Sequence, residues 1–334
     1  MLAATLLLAA CGAAAAPASA PASAGFPKPE TPHIKMIYAT ASGEDTFVEL
    51  AASKGFFQKY GLTADVQFAQ SSTGMVAITS GEAQMGLSDG VAAAEAVTSG
   101  TPVKVIAYFD QISPYMIATL PEVPTAADLK GKTMAVGKLA DTSDVSMRIG
   151  MKSTGMVPGK DFNVLAVGNS PARWAALSSH QVAGAILDEE TYLKQAQAQG
   201  MHIIADLRQQ KLPYVASALT VTDAFAKSNP NTILAGLRAL MDAAAYYADE
   251  KNKPEAMAQL AKDLRMKPDD PVALAAYDAY HARAAGDPSP GKDGITTILD
   301  ALKEIDASRY GKVTPDQIID DSFMNKLRSG GAKS

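Results

Sequence analysis

Hydroxyl, amide and carboxylate side chains follow several apolar segments of this 334-residue chain, and their types and spacing could bind a ligand. Carboxylates can bind an amine. Hydroxyls at a helix start, together with the N–H groups of its first turn, can hold a carboxylate or sulfonate. The candidate binding residues are Ser42, Gly43, Glu44, Asp45, Ser71, Ser72, Ser88, Asp89, Asp110, Gln111, Thr142, Ser143, Asn169, Ser170 and Asp188.

Most of these residues also have a purely structural interpretation. Asp, Asn, Ser and Thr are preferred N-cap residues because their side chains accept hydrogen bonds from the N–H groups of the first turn. Glu44 and Asp45 could also simply favour the dipole of the helix that follows them. Asp89 and Asp188 close equivalent segments, and we favour a ligand role for Asp89 and a capping role for Asp188.

The loop "VGKLADTSD" precedes the first helix of the second half and is equivalent to the loop that contains Ser42 in the first half. We predict that Thr142 and Ser143 hold an acidic group of the ligand. Asp141 should then point away or cap the helix, because a carboxylate beside a bound anion is repulsive. Carboxylates outnumber basic residues in the candidate loops, which disfavours a strongly anionic solute held by Arg or Lys. The sequence therefore predicts a small organic anion or zwitterion, with or without an aromatic ring.

The sequence offers little material for catalysis or metal binding. No His-Glu-x-x-His or comparable spacing occurs, and the chain has a single cysteine. It also carries no nucleophile elbow, phosphate loop or dinucleotide fingerprint. We therefore expect no enzyme activity, no metal and no cofactor. The four scattered histidines are His33, His180, His202 and His281.

Short apolar strands alternate with helical segments from residue 34 onward, which predicts α/β units with a largely parallel sheet. The alternation breaks near residues 110–114 and restarts, so we predict two α/β sets. The segment "LPYVASALTVT" is predicted to be extended and to return to the first set. The chain from Asp223 onward is predicted to be helical.

Two segments of ten residues resemble each other across these sets. "SGEAQMGLSD" (80–89) and "SHQVAGAILD" (179–188) both run from a helix end into a short strand closed by Asp. In α/β sheets, ligands bind outside the carboxyl ends of the strands. Two such sets would therefore present their candidate residues to each other across a cleft.

The composition is that of a globular protein, with 47% hydrophobic and 19% charged residues. A net charge of -5 disfavours nucleic acid or an anionic membrane as the main partner, because both are recognised by basic patches. The sequence contains no apolar run of the ~18 residues that a membrane-spanning helix needs.

The segment "LLLAACG" (6–12) contains the only cysteine, Cys11. A short apolar run followed by small residues predicts a secretory signal peptide over residues 1–10. The step into Cys11 resembles a bacterial lipobox, which implies lipid attachment there and a location in the periplasm or at the cell surface. The Ala/Pro/Ser-rich stretch over residues 11–33 is predicted to be a tether. The alternative is a plain signal peptide that is cleaved after a later alanine.

Five segments in order resemble the solute-binding proteins of ABC importers for nitrate, sulfonates, taurine and thiamin precursors. They are "ELAASKGFFQKYGL", "AITSGEAQMGLSD", "TAADLKGKTMAVG", "NSPARWAALSSHQVAGAIL" and "VTDAFAKSNPNTILAGLRALMDAA". The resemblance covers roughly residues 34–330. Gln84 and Ala183 occupy positions where the family commonly has Asp, and His180 replaces a glycine. We interpret these three as structural positions at the start of a strand.

The resemblance implies an α/β fold of the type II periplasmic-binding class, in which two lobes and C-terminal helices surround a ligand cleft. Lobe 1 would comprise residues 34–110 and 215–334, and lobe 2 residues 114–210. The implied function is capture of a small solute (a sulfonate, carboxylate or heterocycle) by lobe closure and delivery to an ABC permease and its ATPase. We expect a monomer. The alternatives are an enzyme on the same fold, similar to thiamin-pyrimidine synthases, or a ligand-sensing receptor that does not transport.

Overall fold

The computed structural model describes residues 26–39, 43–188, 190–210, 212–284 and 286–330. The predicted signal peptide, Cys11 and Ser42 lie outside these ranges. None of the helices that lie within them has the length and apolar character needed to span a membrane.

The described residues form ten strands, sixteen α-helices and two short 3-10 helices, Ala126–Leu129 and Glu250–Asn252. The strands are β1 (His33–Tyr38), β2 (Thr63–Phe68), β3 (Met85–Ser88), β4 (Val103–Asp110), β5 (Met116–Thr119), β6 (Thr133–Val136), β7 (Asn163–Ala166), β8 (Gly184–Leu187), β9 (His202–Asp206) and β10 (Ser217–Thr222). The helices are α1 (Thr46–Ser53), α2 (Phe56–Lys59), α3 (Ser71–Thr79), α4 (Gly90–Thr98), α5 (Thr142–Lys152), α6 (Ser170–Ser178), α7 (Glu190–Ala198), α8 (Leu207–Gln210), α9 (Asp223–Ser228), α10 (Pro230–Ala248), α11 (Lys253–Asp263), α12 (Pro271–Ala284), α13 (Lys292–Ile305), α14 (Ala307–Tyr310), α15 (Pro315–Ile318) and α16 (Ser322–Arg328).

The strands form two five-stranded sheets with the same layout. The first has the order β2-β1-β3-β10-β4 and the second the order β7-β6-β8-β5-β9. In each sheet four strands run in the same direction, and the fourth strand in the order is antiparallel to both of its neighbours. The predicted two-lobed α/β fold is confirmed. The lobe boundaries given above stay a prediction.

The chain passes from the first sheet to the second between β4 and β5, and it returns between β9 and β10. The returning segment was predicted, and its strand β10 lies between β3 and β4. The sequence analysis does not predict β5, because its four residues, three apolar and one threonine, are too few to establish an alternation. Both β3 and β8 are buried along their whole length, as expected for strands that helices cover on both faces.

The predicted tether extends too far toward the body of the protein. Glu30 accepts hydrogen bonds from the backbone N–H groups of Asn231 (3.1 Å) and Thr232 (2.9 Å) at the start of α10. The Phe26 ring packs edge-on against Tyr60, with 4.9 Å between centroids. Residues 26–32 therefore pack against the first lobe, because a carboxylate satisfies the N–H groups at a helix start and an aromatic ring covers apolar surface.

The two ten-residue segments that resemble each other adopt the same backbone turn. Gly81 has a φ of 78° and His180 a φ of 59°, both in the left-handed region. Glycine reaches this region without strain, whereas a histidine must overcome a steric cost of about 1 kcal/mol. The interpretation of position 180 as a structural glycine position is consistent with this geometry.

Candidate functional site

The candidate residues of the first lobe lie at the carboxyl ends of its strands, where the chain also leaves for the second sheet. The segment of Gly43, Glu44 and Asp45 follows β1, Asp89 follows β3, and Asp110 ends β4. All four of these carboxylates are buried. The structure therefore brings together a buried acidic group of residues that the sequence had marked as separate candidates.

Asp45 is held by structural hydrogen bonds. Its carboxylate accepts from the Ser217 hydroxyl (2.7 Å) and from the backbone N–H of Ala39 (3.2 Å). Ser217 begins β10, so this bond connects the loop after β1 to the strand that returns from the second lobe. Asp45 thus fixes the position of the loop that carries Glu44.

Asp110 forms a buried ion pair with Arg283 from the end of α12. The distance from Oδ2 to Nη2 is 2.5 Å, and the exposed side-chain fractions are 4% for Asp110 and 27% for Arg283. The other oxygen of Asp110 accepts from the backbone N–H of Ile112 at 2.9 Å. Burial raises the pKa of Asp110, and the Arg283 guanidinium opposes this rise. The charge of Arg283 is therefore largely offset by Asp110.

A cavity of about 230 Å³ lies beside this ion pair. Its wall consists of the end of β4, the first part of the crossing segment and the chain around the end of α12. The Nε atom of Arg283 is buried and has no hydrogen-bond partner among the described residues. The residues that line the cavity are Tyr108, Phe109, Asp110, Gln111, Ile112, Arg283, Ala284, Gly286 and Asp287.

Glu44 is 7% exposed. Burial raises the pKa of its carboxyl well above the ordinary value, and the negative charges of Asp110 and Asp45 raise it further. Arg283 acts in the opposite direction, and Asp89 adds a smaller negative contribution. A positive charge placed beside Glu44 would therefore be favourable, and a further negative charge would be repelled.

Three tyrosines that the sequence analysis did not select lie at this junction of the two lobes. The hydroxyl of Tyr214, on the returning segment, accepts a hydrogen bond from Ser146 of α5 at 2.9 Å. The Tyr280 hydroxyl lies near carboxylates of both lobes, among them Glu44, and burial raises its pKa. Tyr115, on the crossing segment, is 8% exposed, and its hydroxyl has no hydrogen-bond partner in the described part of the chain.

Three helices that begin near the cleft are capped by side chains of the protein itself. Asp89 accepts from the backbone N–H of Ala92 in α4 at 2.9 Å. Asn169 accepts from Ala172 in α6 at 3.1 Å. Asp141 caps α5, as discussed below. The N–H groups that could hold an anionic ligand at these helix starts are thus partly occupied by the chain's own oxygen atoms.

Thr142 and Ser143 lie at the start of α5, where we predicted an anion site. One oxygen of Asp141 accepts from the backbone N–H groups of Ser143 (2.9 Å) and Asp144 (3.0 Å) and from the Ser143 hydroxyl (2.7 Å). The Ser143 hydroxyl also accepts from the Gly137 N–H at 2.6 Å, and Ser143 is buried. The role of Thr142 and Ser143 in ligand binding stays a prediction, but a carboxylate of the protein already occupies the anion position.

Ser170 and Asp188 of the second lobe form a network with Arg173. The Ser170 hydroxyl donates to Asp188, and Arg173 donates to Ser170 Oγ at 2.6 Å. Arg173 also donates to the backbone carbonyls of Ile186 (2.6 Å) and Gly168 (2.7 Å). This buried guanidinium therefore connects α6 to the end of β8.

The remaining candidates contribute less to a common site. The Ser88 hydroxyl is buried and bonds Thr220 across strands β3 and β10 at 2.8 Å. Gln111 lines the cavity but is largely exposed, and Ser72 is exposed at the start of α3. The side chain of Ser71 lies outside the described residues, and its ligand role, like that of Ser42, stays a prediction.

Sequence reasoning missed Arg283, Tyr115, Tyr214 and Tyr280. Tyr280 and Arg283 lie within "DPVALAAYDAYHARAA", a segment whose pattern indicates a helix. Nothing in this segment indicates that the end of the helix contacts Asp110, which lies 173 residues earlier in the chain. Tyr115 and Tyr214 each directly follow a proline in the two crossing segments. That position was a usable signal, because residues at a hinge face both lobes.

No three His, Cys, Asp or Glu side chains in the described ranges lie close enough together to hold a metal ion. The carboxylates at the cleft are spread over several loops and are engaged in helix caps and ion pairs.

Comparison with known proteins identifies relatives of this architecture. The family model described as NMT1/THI5 like matches residues 44–255, which is more than half of the chain. No curated protein sequence matches the chain. Among solved structures, a protein from Bordetella bronchiseptica RB50 is 20% identical, with a TM-score of 0.69 over 91% of this chain and 99% of that one.

Two further solved structures have a named ligand. The periplasmic nitrate-binding protein NrtA from Synechocystis PCC 6803 is 18% identical, with a TM-score of 0.68 over 91% of this chain and 90% of that one. The periplasmic aliphatic sulphonate binding protein SsuA from Escherichia coli is 15% identical, with a TM-score of 0.71 over 89% of this chain and 99% of that one. At these identities the likeness establishes the fold.

Proposed function

We propose that this chain, which belongs to the NMT1/THI5-like family, is an extracytoplasmic solute-binding protein of an ABC importer. It captures a small organic solute between its two lobes and delivers the solute to a membrane permease that an ATPase drives. A lipid on Cys11 anchors it to the membrane, and it acts as a monomer. The two relatives with a named ligand are binding proteins, which supports binding and not catalysis as the role of this fold here.

The observation that carries the proposal is the pairing of two alike sheets around one polar junction. The sheets have the same strand order, the chain crosses between them twice, and buried polar groups of both lobes meet at the crossings. A ligand that contacts both lobes favours the closed arrangement over the open one. Binding of a solute and closure of the lobes are therefore one equilibrium.

The proposal is tested by identifying what the protein carries. The protein is purified from a bacterial host and denatured, and the small molecules that it releases are identified by mass spectrometry. The released solute is then returned to ligand-free protein. We expect smaller dimensions in small-angle scattering and a higher unfolding temperature, because a ligand that binds only the folded state stabilises it. A protein that releases no solute and binds none of a broad metabolite panel would contradict the proposal.

A pair of glycine variants makes the test specific to the cleft. A Cβ atom at Gly43 would lie 2.7 Å from both the Ala276 carbonyl oxygen and Cδ2 of Tyr280, so Gly43→Ala must displace the α12 backbone and the tyrosine ring. Gly291→Ala adds the same methyl group where no atom lies within 4 Å. We expect weaker solute binding in Gly43→Ala and unchanged binding in Gly291→Ala. Equal affinity in the two variants would exclude the Tyr280 region as the binding site.

A further inference from the structure

We infer that the solute of this protein is a small organic cation whose charged group binds beside Glu44 at the junction of the two lobes. The inference rests on the proposed solute-binding function and specifies its ligand. It differs from the anion or zwitterion that the sequence predicts.

The first argument is the balance of charge around Glu44. The charges that act on it most strongly are those of Asp110, Asp45 and Asp89, which are negative, and that of Arg283, which is positive. Arg283 already forms a 2.5 Å ion pair with Asp110. A bound sulfonate or carboxylate would bring one more negative charge into a buried group of acids, whereas a cation would relieve the repulsion among them.

The second argument concerns the positions where an anion would otherwise bind. Helix starts attract anions because their first N–H groups lack partners within the helix. At this cleft, Asp89, Asp141 and Asn169 use their own oxygens to cap α4, α5 and α6. Two of these three caps carry a negative charge of their own. The first N–H groups of these three helices are thus partly occupied by the chain's own oxygen atoms.

The third argument is a polar side chain that is buried at the junction without a partner. Tyr115 is 8% exposed, and its hydroxyl makes no hydrogen bond to any described residue. Among the charged groups around the Tyr115 hydroxyl, Asp188 of the second lobe has the largest effect on its pKa. A ligand that forms a hydrogen bond with this hydroxyl would make a contact that no described residue makes. This hydroxyl points to a ligand and does not depend on the carboxylates.

The neighbouring groups indicate an organic cation and not a metal ion. No three potential ligand side chains in the described part of the chain lie close enough to hold a metal. The Tyr115 ring can contact the apolar body of a ligand and attract a cation through its face, whereas the Arg283 guanidinium already lies over the Tyr280 ring, 4.6 Å from its centroid. The Nε atom of Arg283 remains available to a neutral acceptor, such as a carbonyl or hydroxyl oxygen on the same ligand.

The experiment compares probes that share a body and differ in charge. Benzamidine, benzamide and benzoate form one set, and butylamine, butyramide and butanesulfonate form the other. Affinities are measured by calorimetry and thermal shift at neutral pH, with enough salt to screen non-specific attraction to an acidic protein. We expect the cation of at least one set to bind and to raise the unfolding temperature more than its neutral and anionic counterparts do.

Variants of two glutamates test whether the cation binds beside Glu44. Glu44→Gln should weaken binding of the cation by about 10- to 100-fold, the usual range for losing a charged hydrogen-bond partner. It should fold, because glutamine has nearly the size of glutamate and removes one negative charge from a group of buried acids. Glu49→Gln, five residues away on α1, removes the same charge outside the cleft and should leave the affinity unchanged. If Glu44→Gln does not fold, Asp89→Asn serves instead, because asparagine is also a good N-cap.

The results separate this inference from the proposed function. Preferential binding of benzoate or butanesulfonate would refute the inference that the solute is a cation. It would leave the proposed solute-binding function unaffected. Failure of both cations to bind at about 5 mM would also overturn it, since stabilisation needs ligand in excess of Kd. Cation binding that Glu44→Gln or its substitute does not weaken would refute the assignment to this site. The proposed function is tested separately, by the solute that the purified protein releases.

Discussion

Asp263 gives a prediction whose size can be worked out from the structure. This residue ends α11, accepts hydrogen bonds from Gln259 (2.7 Å) and Thr46 (3.2 Å), and is half-buried. Burial raises its pKa from 3.8 to about 6, and the nearby Glu49 contributes to the rise. A carboxylate at the C-terminal end of a helix is also disfavoured by the helix dipole.

The raised pKa fixes the sign of the pH dependence. Between pH 3.8 and about 6 the folded protein binds more protons than the unfolded chain does, so its stability falls as the pH rises through this window. A shift of about 2 units corresponds to ~3 kcal/mol, which partial exposure reduces to ~1.5 kcal/mol. At neutral pH the ionised Asp263 therefore destabilises the fold by roughly that amount.

Asp263→Asn should remove this cost. Asparagine can still accept from Gln259, and its amide can donate to the Thr46 hydroxyl. In equilibrium urea unfolding we expect the variant to be more stable than the wild type by ~1.5 kcal/mol at about pH 7 and by roughly a third of that at about pH 4.5. The matched control is Asp278→Asn, which removes an exposed partner of Lys253 and should change stability by less than ~0.5 kcal/mol. An equal gain at both pH values, or a loss at neutral pH, would refute the reasoning.

Three further predictions concern the cleft and the leader. Arg283→Met should destabilise the fold by ~2–3 kcal/mol in urea unfolding because it leaves Asp110 buried without its cation, and adding Asp110→Asn should restore most of the loss. A double variant no more stable than Arg283→Met would contradict this. Asp141→Ala should cost ~1 kcal/mol as a lost helix cap, without the affinity change that a ligand contact would produce in calorimetry. Cys11→Ala should move the protein from the membrane fraction to the soluble fraction, because acyl chains supply the anchoring energy. Unchanged membrane association would exclude lipid attachment at Cys11.

The sequence predicts the order of the elements well because each lobe is built from local repeats of strand and helix. Thr125 and Asp128, three residues apart in the sequence, form a capping box, and the matched turns at Gly81 and His180 have the same handedness. It does not predict the strand β5, which is short and is held by pairing with β8 and β9. Such pairing depends on residues about 70 to 90 positions away, and no local pattern records it.

The site is less predictable for a related reason. Asp, Asn and Ser residues after strands serve as helix caps and as ligand contacts with the same spacing, so the sequence cannot separate the two roles. Asp89 and Asn169 are both caps in the structure. Arg283 matters because α12 brings it to Asp110, a contact across 173 residues of chain. Its importance follows from the tertiary fold and not from its neighbours in sequence.

The two sides of the lobe junction differ in a way that determines how the cleft can open. Helix α13 contacts α4 of the first lobe and α5 of the second, and its buried face includes Ile295, Ile298 and Leu302. These side chains belong to the same apolar cluster as residues of both neighbouring helices. Separating this side would expose a large apolar surface, at about 25 cal/mol for each Å².

The other contact between the lobes involves α12 and α7. Along the described part of α7, Tyr192 and Ala196 are buried while most of the remaining residues are partly or fully exposed, so little apolar surface resists separation there. Opening should therefore pivot on the α13 side and move α12, with Tyr280 and Arg283, away from α7. A ligand bound beside Glu44 would lie on the moving side and would favour closure by contacting both lobes.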